Sequence, residues 1–271
     1  MAIVDGMKRK TLIFDLDGTL YRGKHLLEGG LKAVEYCQKH DIPFLFLTNN
    51  ATRTPMQNIR HMEEMGYHGL KPEQFYNSAM AAAQYAAQTY DGRKAWYIGE
   101  EGLRLALDEN GFEITDDHPD FVFVGLDRQA VYSQYSKALS LMIEGARLIG
   151  TNRDRKVPDG SSYLVGNGAI LQMFEYALDA KSPDIGKPSR TILDLCLKHY
   201  GLLPSDVILI GDNLETDIAL GYNNGVQTVF VMTGVHQASD IERLNIHPDL
   251  CVQDLSQLDL DRISSEKTFV V

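Results

Sequence analysis

The apolar run Thr11-Leu12-Ile13-Phe14 passes directly into Asp15-Leu16-Asp17-Gly18. A short continuous apolar run reads as a strand buried on both faces, and ending one in two carboxylates is costly. Side chains two apart on a strand point the same way, so Asp15 and Asp17 are expected to face one point. Carboxylates that close repel each other unless a cation or a proton intervenes, so this end of the strand asks for a metal. Gly18-Thr19 then turns the chain sharply, leaving an open crevice at the strand's carboxyl end, the usual ligand position in an α/β sheet. Taken alone, Asp-x-Asp is equally a solvated turn after a strand.

The same arrangement recurs. Pro43-Phe44-Leu45-Phe46-Leu47 ends in Thr48-Asn49-Asn50, and Val207-Ile208-Leu209-Ile210 ends in Gly211-Asp212-Asn213-Leu214-Glu215-Thr216-Asp217, with Gly186-Lys187-Pro188 between them. Amphipathic stretches separate these runs, which is the pattern of a parallel sheet covered by helices. The expected fold class is therefore α/β, a doubly wound parallel-sheet (Rossmann-like) core with a second, smaller α/β unit inserted. Core helices are expected near 30–40, 55–65, 190–200 and 215–223, and further strands at 226–231 and around Leu250. The insertion reads as strands at 95–98, 121–124 and 147–150 with helices at 79–88, 102–109, 133–145 and 168–178. The polar stretch 179–184 reads as the linker back. The domains are then 1–78 with 183–271, and 79–182.

With 44% hydrophobic residues and no apolar stretch near the ~18 residues that span a bilayer, a soluble chain without a membrane partner is expected. Residues 1–10 lack the apolar core of a signal peptide, which points to the cytoplasm. A net charge of -11 and no cluster of Lys and Arg disfavour nucleic acid. Cys37, Cys196 and Cys251 are far apart and read as buried free thiols, and the eight histidines show no metal-ligand spacing.

The order Asp15-x-Asp17-Gly18-Thr19, Thr48-Asn49-Asn50, Lys187, Gly211-Asp212-x-x-x-x-Asp217 resembles the four motifs of the haloacid dehalogenase superfamily. The wording Leu47-Thr48-Asn49-Asn50 and the long insertion before Gly186-Lys187-Pro188 resemble, within it, the subclass IIA capped phosphatases. This is the para-nitrophenyl phosphatase and phosphoglycolate phosphatase branch, in which dimers joined through the cap are common. The resemblance implies a Mg²⁺-dependent phosphatase of small phosphorylated metabolites, with sugar phosphates, nucleoside monophosphates or phosphoglycolate as substrates and nitrophenyl phosphate as an artificial one. It also implies a homodimer.

The resemblance makes Asp15 the nucleophile that forms an aspartyl-phosphate and Asp17 the general acid and base, with Asp17 giving the metal its backbone carbonyl. Asp212 completes the metal's carboxylates. Asp217 falls in the first turn of a helix, where the helix dipole stabilises a carboxylate as readily as a metal does, and is placed behind the direct ligands. Thr48, Asn49 and Asn50 offer donors to a phosphoryl group and Lys187 a point charge, though Asn-Asn is also a common turn and a Lys before Pro a common solvated side chain. Asn213 either holds phosphate or caps the helix. In the insertion, Asp127 in Gly125-Leu126-Asp127-Arg128 and Asn152 in Gly150-Thr151-Asn152-Arg153-Asp154 are candidates for substrate contact or cap-site geometry, and equally ordinary turns. Related caps follow Thr-Asn with proline and end in Pro-Gly-x-Gly. This chain has Arg153 and Val165-Gly166-Asn167-Gly168 instead, and Gly166-x-Gly168 lacks the third glycine of a dinucleotide site. Two other functions keep the same motifs, a phosphomutase that shields its phosphoryl-enzyme from water, and a regulator that binds a phosphometabolite without turnover.

Overall fold

The apolar runs at Thr11–Phe14, Phe44–Thr48 and Val207–Gly211 become strands buried end to end, as a central position between two helix layers requires. The computed structural model of the protein describes residues 3–4, 7–159 and 162–265. The chain forms two compact units, one of residues 1–48, 58–76 and 196–271, the other of 49–57 and 77–195.

The first unit carries a six-stranded sheet in the order Leu250–Val252, Gln227–Val231, Val207–Gly211, Thr11–Phe14, Phe44–Thr48, Phe75–Asn77. Pairing is parallel from Leu250–Val252 through Phe44–Thr48. The strand order reverses direction between Thr11–Phe14 and Val207–Gly211. Such a switch point opens a crevice beyond the carboxyl ends of the two strands. In register, Phe14 pairs with Ile210, so Asp15 and Asp212 leave the sheet side by side. One core face is filled by Leu12, Phe14, Phe46, Ile208, Ile210 and Val229 against Val34, Cys37, Ile59 and Met62 from the helices Gly30–Lys39 and Pro55–Glu63.

The second unit has a four-stranded parallel sheet in the order Arg147–Gly150, Phe121–Val124, Lys94–Ile98, Glu113–Ile114. The helices Ser78–Thr89, Glu101–Glu109, Tyr132–Ile143 and Asn167–Leu178 belong to it. Val122, Val124, Leu141, Leu171 and Phe174 form much of its core.

Several sequence expectations are revised. Residues 215–223 do not form one α-helix: a π-helical turn, Leu214–Ile218, precedes a short helix, Ala219–Tyr222. Such turns concentrate at functional sites. An antiparallel hairpin, Lys156–Asp159 with Ser162–Val165, was not anticipated, because nearly all of it is exposed and it carries no alternation of apolar and polar positions. Helices Ala238–Leu244 and Leu260–Ser265 were likewise unanticipated. Cys37 and Cys196 are buried thiols, whereas Cys251 is exposed on the strand Leu250–Val252, which among the described residues is an edge of the sheet. Among the described residues no helix is long and apolar enough to cross a membrane.

Candidate active site

In the first unit, the sheet places three carboxylates together. The Asp15 N–H continues the ladder, donating to Ile210 O at 2.9 Å. Asp212 follows Val207–Gly211 directly, and Asp217 returns from the π-helical turn. One oxygen from each of Asp15, Asp212 and Asp217 lies within 4.8 Å of the others. Asp212 and Asp217 are buried and Asp15 half-buried. Three carboxylates at this spacing repel strongly, and an all-oxygen, anionic donor set is what a hard divalent cation binds. Asp217 therefore stands together with the other two carboxylates.

Asp17 is exposed, and its carboxylate is not one of the three. Regular strand structure ends at Phe14, and the intervening Leu16 is buried in the core, so simple alternation does not carry through to Asp17. Gly18 makes the turn at φ +93°, its N–H donating to Tyr21 O at 2.7 Å.

Asp212 is fixed by neighbours that no local pattern announced. Thr19 Oγ1 donates to its Oδ1 at 3.1 Å and the Val235 N–H to its Oδ2 at 3.0 Å. A Cβ on Gly18 would lie 2.4 Å from Asp212 Oδ2, and one on Gly234 only 1.6 Å. Thr233 Oγ1 donates to Gly18 O at 2.6 Å and closes the ring of contacts. The signal that could have found them is the position of Thr233-Gly234 just past Gln227–Val231, at the same edge of the sheet.

Asp217 Oδ2 accepts the Asn213 N–H at 3.2 Å. The Asn213 side chain caps the turn, its Oδ1 accepting from Glu215 N–H at 2.9 Å. His236 is buried and its Nδ1 accepts the Leu214 N–H at 3.2 Å, which places the ring proton on Nε2, 3.6 Å from Glu215. Thr48 is the buried last residue of Phe44–Thr48.

In the second unit, Asn49 and Lys187 are joined. The Lys187 N–H donates to Asn49 Oδ1 at 2.7 Å, and Asn49 Nδ2 donates to Lys187 O at 3.0 Å and to Asp154 Oδ1 at 2.9 Å. Asn49 O in turn accepts from Asn152 Nδ2 at 2.8 Å and from Ser78 Oγ. Gly186 packs so tightly that a Cβ there would meet Asn152 Cβ at 2.7 Å and Asn49 Oδ1 at 2.9 Å. Lys187 is buried. Asn50 Oδ1 accepts from the Thr52 N–H at 3.0 Å and its hydroxyl at 2.7 Å, an Asx turn. Asp127 likewise accepts from the Gln129 N–H at 2.8 Å, and Asn152 is a buried hub of backbone bonds. Asp154 was not singled out in the sequence, where nothing local marks its bond to a residue 105 positions earlier.

A switch-point crevice lined with carboxylates, on a parallel sheet with a serial four-motif order, defines a class of hydrolase. The chain belongs to the haloacid dehalogenase-like hydrolases, whose family models match residues 12–113 and 184–258. It is 36% identical over 245 residues to an acid sugar phosphatase of Staphylococcus epidermidis, covering 90% of this chain and 94% of that one. Among solved structures it resembles a double mutant of the thermostable NPPase from Geobacillus stearothermophilus, with TM-score 0.84, 33% identity, and coverage of 94% and 99% of the two chains. It also resembles NagD from E. coli, with TM-score 0.85, 30% identity, and coverage of 94% and 100%.

Proposed function

We propose that the protein is a Mg²⁺-dependent phosphatase that hydrolyses small phosphomonoesters, sugar phosphates foremost, through an aspartyl-phosphate on Asp15. The convergence of Asp15, Asp212 and Asp217 at the switch point carries this reading. The three carboxylates suit Mg²⁺, which prefers hard oxygen ligands and keeps positions for water and phosphate. When bound, the ion supplies positive charge that offsets the repulsion between the nucleophile and the phosphoryl oxygens.

The residues of the chain divide the work. An Asp15 oxygen forms a bond to phosphorus as the ester P–O bond breaks. Asp17, exposed and outside the carboxylate cluster, gives its proton to the leaving alkoxide. It then takes a proton from the water that attacks the aspartyl-phosphate, releasing inorganic phosphate and restoring Asp15. In this reading Asp17 turns its backbone carbonyl to the metal, Thr48 and Asn50 donate to phosphoryl oxygens, and Lys187 supplies a positive charge. Segments 1–78 and 183–271 form the catalytic core, and 79–182 is the cap that selects the leaving group, with Asp127 and Asn152 shaping its site. The acid sugar phosphatase name of a 36% identical relative supports sugar phosphates as the first substrates to try.

The test is phosphate release from a panel of sugar phosphates, nucleoside monophosphates, phosphoglycolate and nitrophenyl phosphate, with Mg²⁺, with chelator, and with Asp15→Asn. Release that needs the ion and is lost in the variant is expected. Ligand-induced thermal stabilisation without release from any ester would overturn it in favour of a non-catalytic phosphometabolite regulator.

A further inference from the structure

The geometry points to Asp154 as a positioning residue that acts through Asn49 on Lys187; the inference rests on the phosphatase reading above. A carboxamide has a donor end and an acceptor end, and a 180° flip exchanges them. Asn49 uses both ends on the Lys187 backbone, Oδ1 toward the N–H at 2.7 Å and Nδ2 toward the carbonyl at 3.0 Å. Flipped, it would set donor against donor and acceptor against acceptor. Asp154 Oδ1 accepts from Nδ2 at 2.9 Å and so favours the orientation that grips Lys187.

The backbone that carries this carboxylate is held from several sides. The Asp154 N–H donates to Asn152 Oδ1 at 3.1 Å, while Asn152 Nδ2 donates to Asn49 O at 2.8 Å, which closes a ring through Asn49, Asp154 and Asn152. Helix Asn167–Leu178 begins directly on this segment, with the Gly168 N–H donating to Asp154 O at 2.8 Å. A Cβ on Gly166 would lie 2.1 Å from Asp154 O, and one on Gly168 would lie 2.3 Å from Arg153 O. The Gly166-Asn167-Gly168 pattern, too short for a dinucleotide site, is thus the gap through which residues 153–154 pack against the helix start. Asn167 Nδ2 adds a bond to Asn152 O at 3.0 Å.

If Asp154 works through Lys187, its removal misplaces a charge that a phosphoryl group needs, and small displacements of such groups cost up to about 100-fold in rate. The experiment compares kcat/KM for nitrophenyl phosphate in wild type, Asp154→Ala, Asp154→Asn, Lys187→Met and both double variants, with thermal denaturation of each. Expected are a loss of about 10- to 100-fold in Asp154→Ala, partial rescue in Asp154→Asn, whose amide oxygen can still accept, and no further loss from either change in the Lys187→Met background. An unchanged Asp154→Ala enzyme, or losses that multiply in the Lys187→Met background, would overturn the inference while leaving the phosphatase reading intact. Should Asp154→Ala fail to fold, the Asp154→Asn pair decides by the same rule. No turnover of any ester by wild type would overturn both.

Discussion

Arg153 Nη2 donates at 2.9 Å to Oε1 of Glu175, whose side chain is completely shielded from solvent. Lys181 Nζ at 3.0 Å and the Ser182 N–H at 2.9 Å complete the shell. Arg153 also donates to Ser182 O at 2.9 Å, so one guanidinium ties the helix carrying Glu175 to the segment leading toward Lys187. Burial pushes the Glu175 carboxyl up, but the bonds from Arg153, Lys181 and Ser182 outweigh it and hold the group below its ordinary value. A carboxylate lowered on folding contributes stability that is fully present above its unfolded value and is lost as pH falls through the folded one.

Thermal denaturation as a function of pH should therefore show a loss in wild type below the ordinary glutamate range, about 4.3, that Glu175→Gln lacks. Arg153→Ala should lower stability at neutral pH by about 1–3 kcal/mol, since it strips a partner from a buried charge. Parallel acid profiles for wild type and Glu175→Gln would contradict this account.

Gly234→Ala should cripple catalysis. Its Cβ would fall 1.6 Å from Asp212 Oδ2, so the carboxylate must move or the backbone must shift, at about 1–3 kcal/mol of overpacking. Titrating activity with Mg²⁺ should show a higher half-saturating concentration in the variant than in wild type, and an unchanged value would argue against Asp212 as a ligand.

Asp17→Asn should discriminate between leaving groups. A sugar alkoxide needs a proton as it departs and nitrophenolate scarcely does, so kcat/KM for sugar phosphates should fall more than for nitrophenyl phosphate. Equal losses would remove the general-acid role.

Asp15→Asn should abolish turnover yet stabilise the metal-free protein. Removing one of three carboxylates within 4.8 Å relieves repulsion of about 1–4 kcal/mol per pair at this range. In chelator its melting temperature should exceed that of wild type, and the rise that Mg²⁺ produces in wild type should shrink. A lower melting temperature in chelator would show that Asp15 is held by something other than the cluster.

The strands Thr11–Phe14, Phe44–Thr48 and Val207–Gly211 were legible because a strand buried on both faces must be written as an unbroken apolar run, and each leads into polar residues of the candidate site. Asp15 and Asp212, directly after their strands, were legible for the same reason, whereas Asp217, five residues further on, read equally as a carboxylate at a helix start. The hairpin Lys156–Asp159 with Ser162–Val165 left no such mark, because an exposed ribbon constrains neither face. The second unit's capping pattern was visible as a departure from related chains, but its use was not.

By itself, the sequence determined the apolar strands of both sheets and the residues that end them, though not the short edge strands Phe75–Asn77 and Glu113–Ile114, because burial and periodicity act on neighbours along the chain. Only the tertiary structure decided that Asp217 joins Asp15 and Asp212, that Thr19 grips Asp212 across 193 residues, and that Asn49 clasps Lys187 under the hold of Asp154. Those relations depend on hydrogen-bond geometry between distant residues and on the absence of a Cβ at Gly234 and Gly186, and no local pattern encodes a distance.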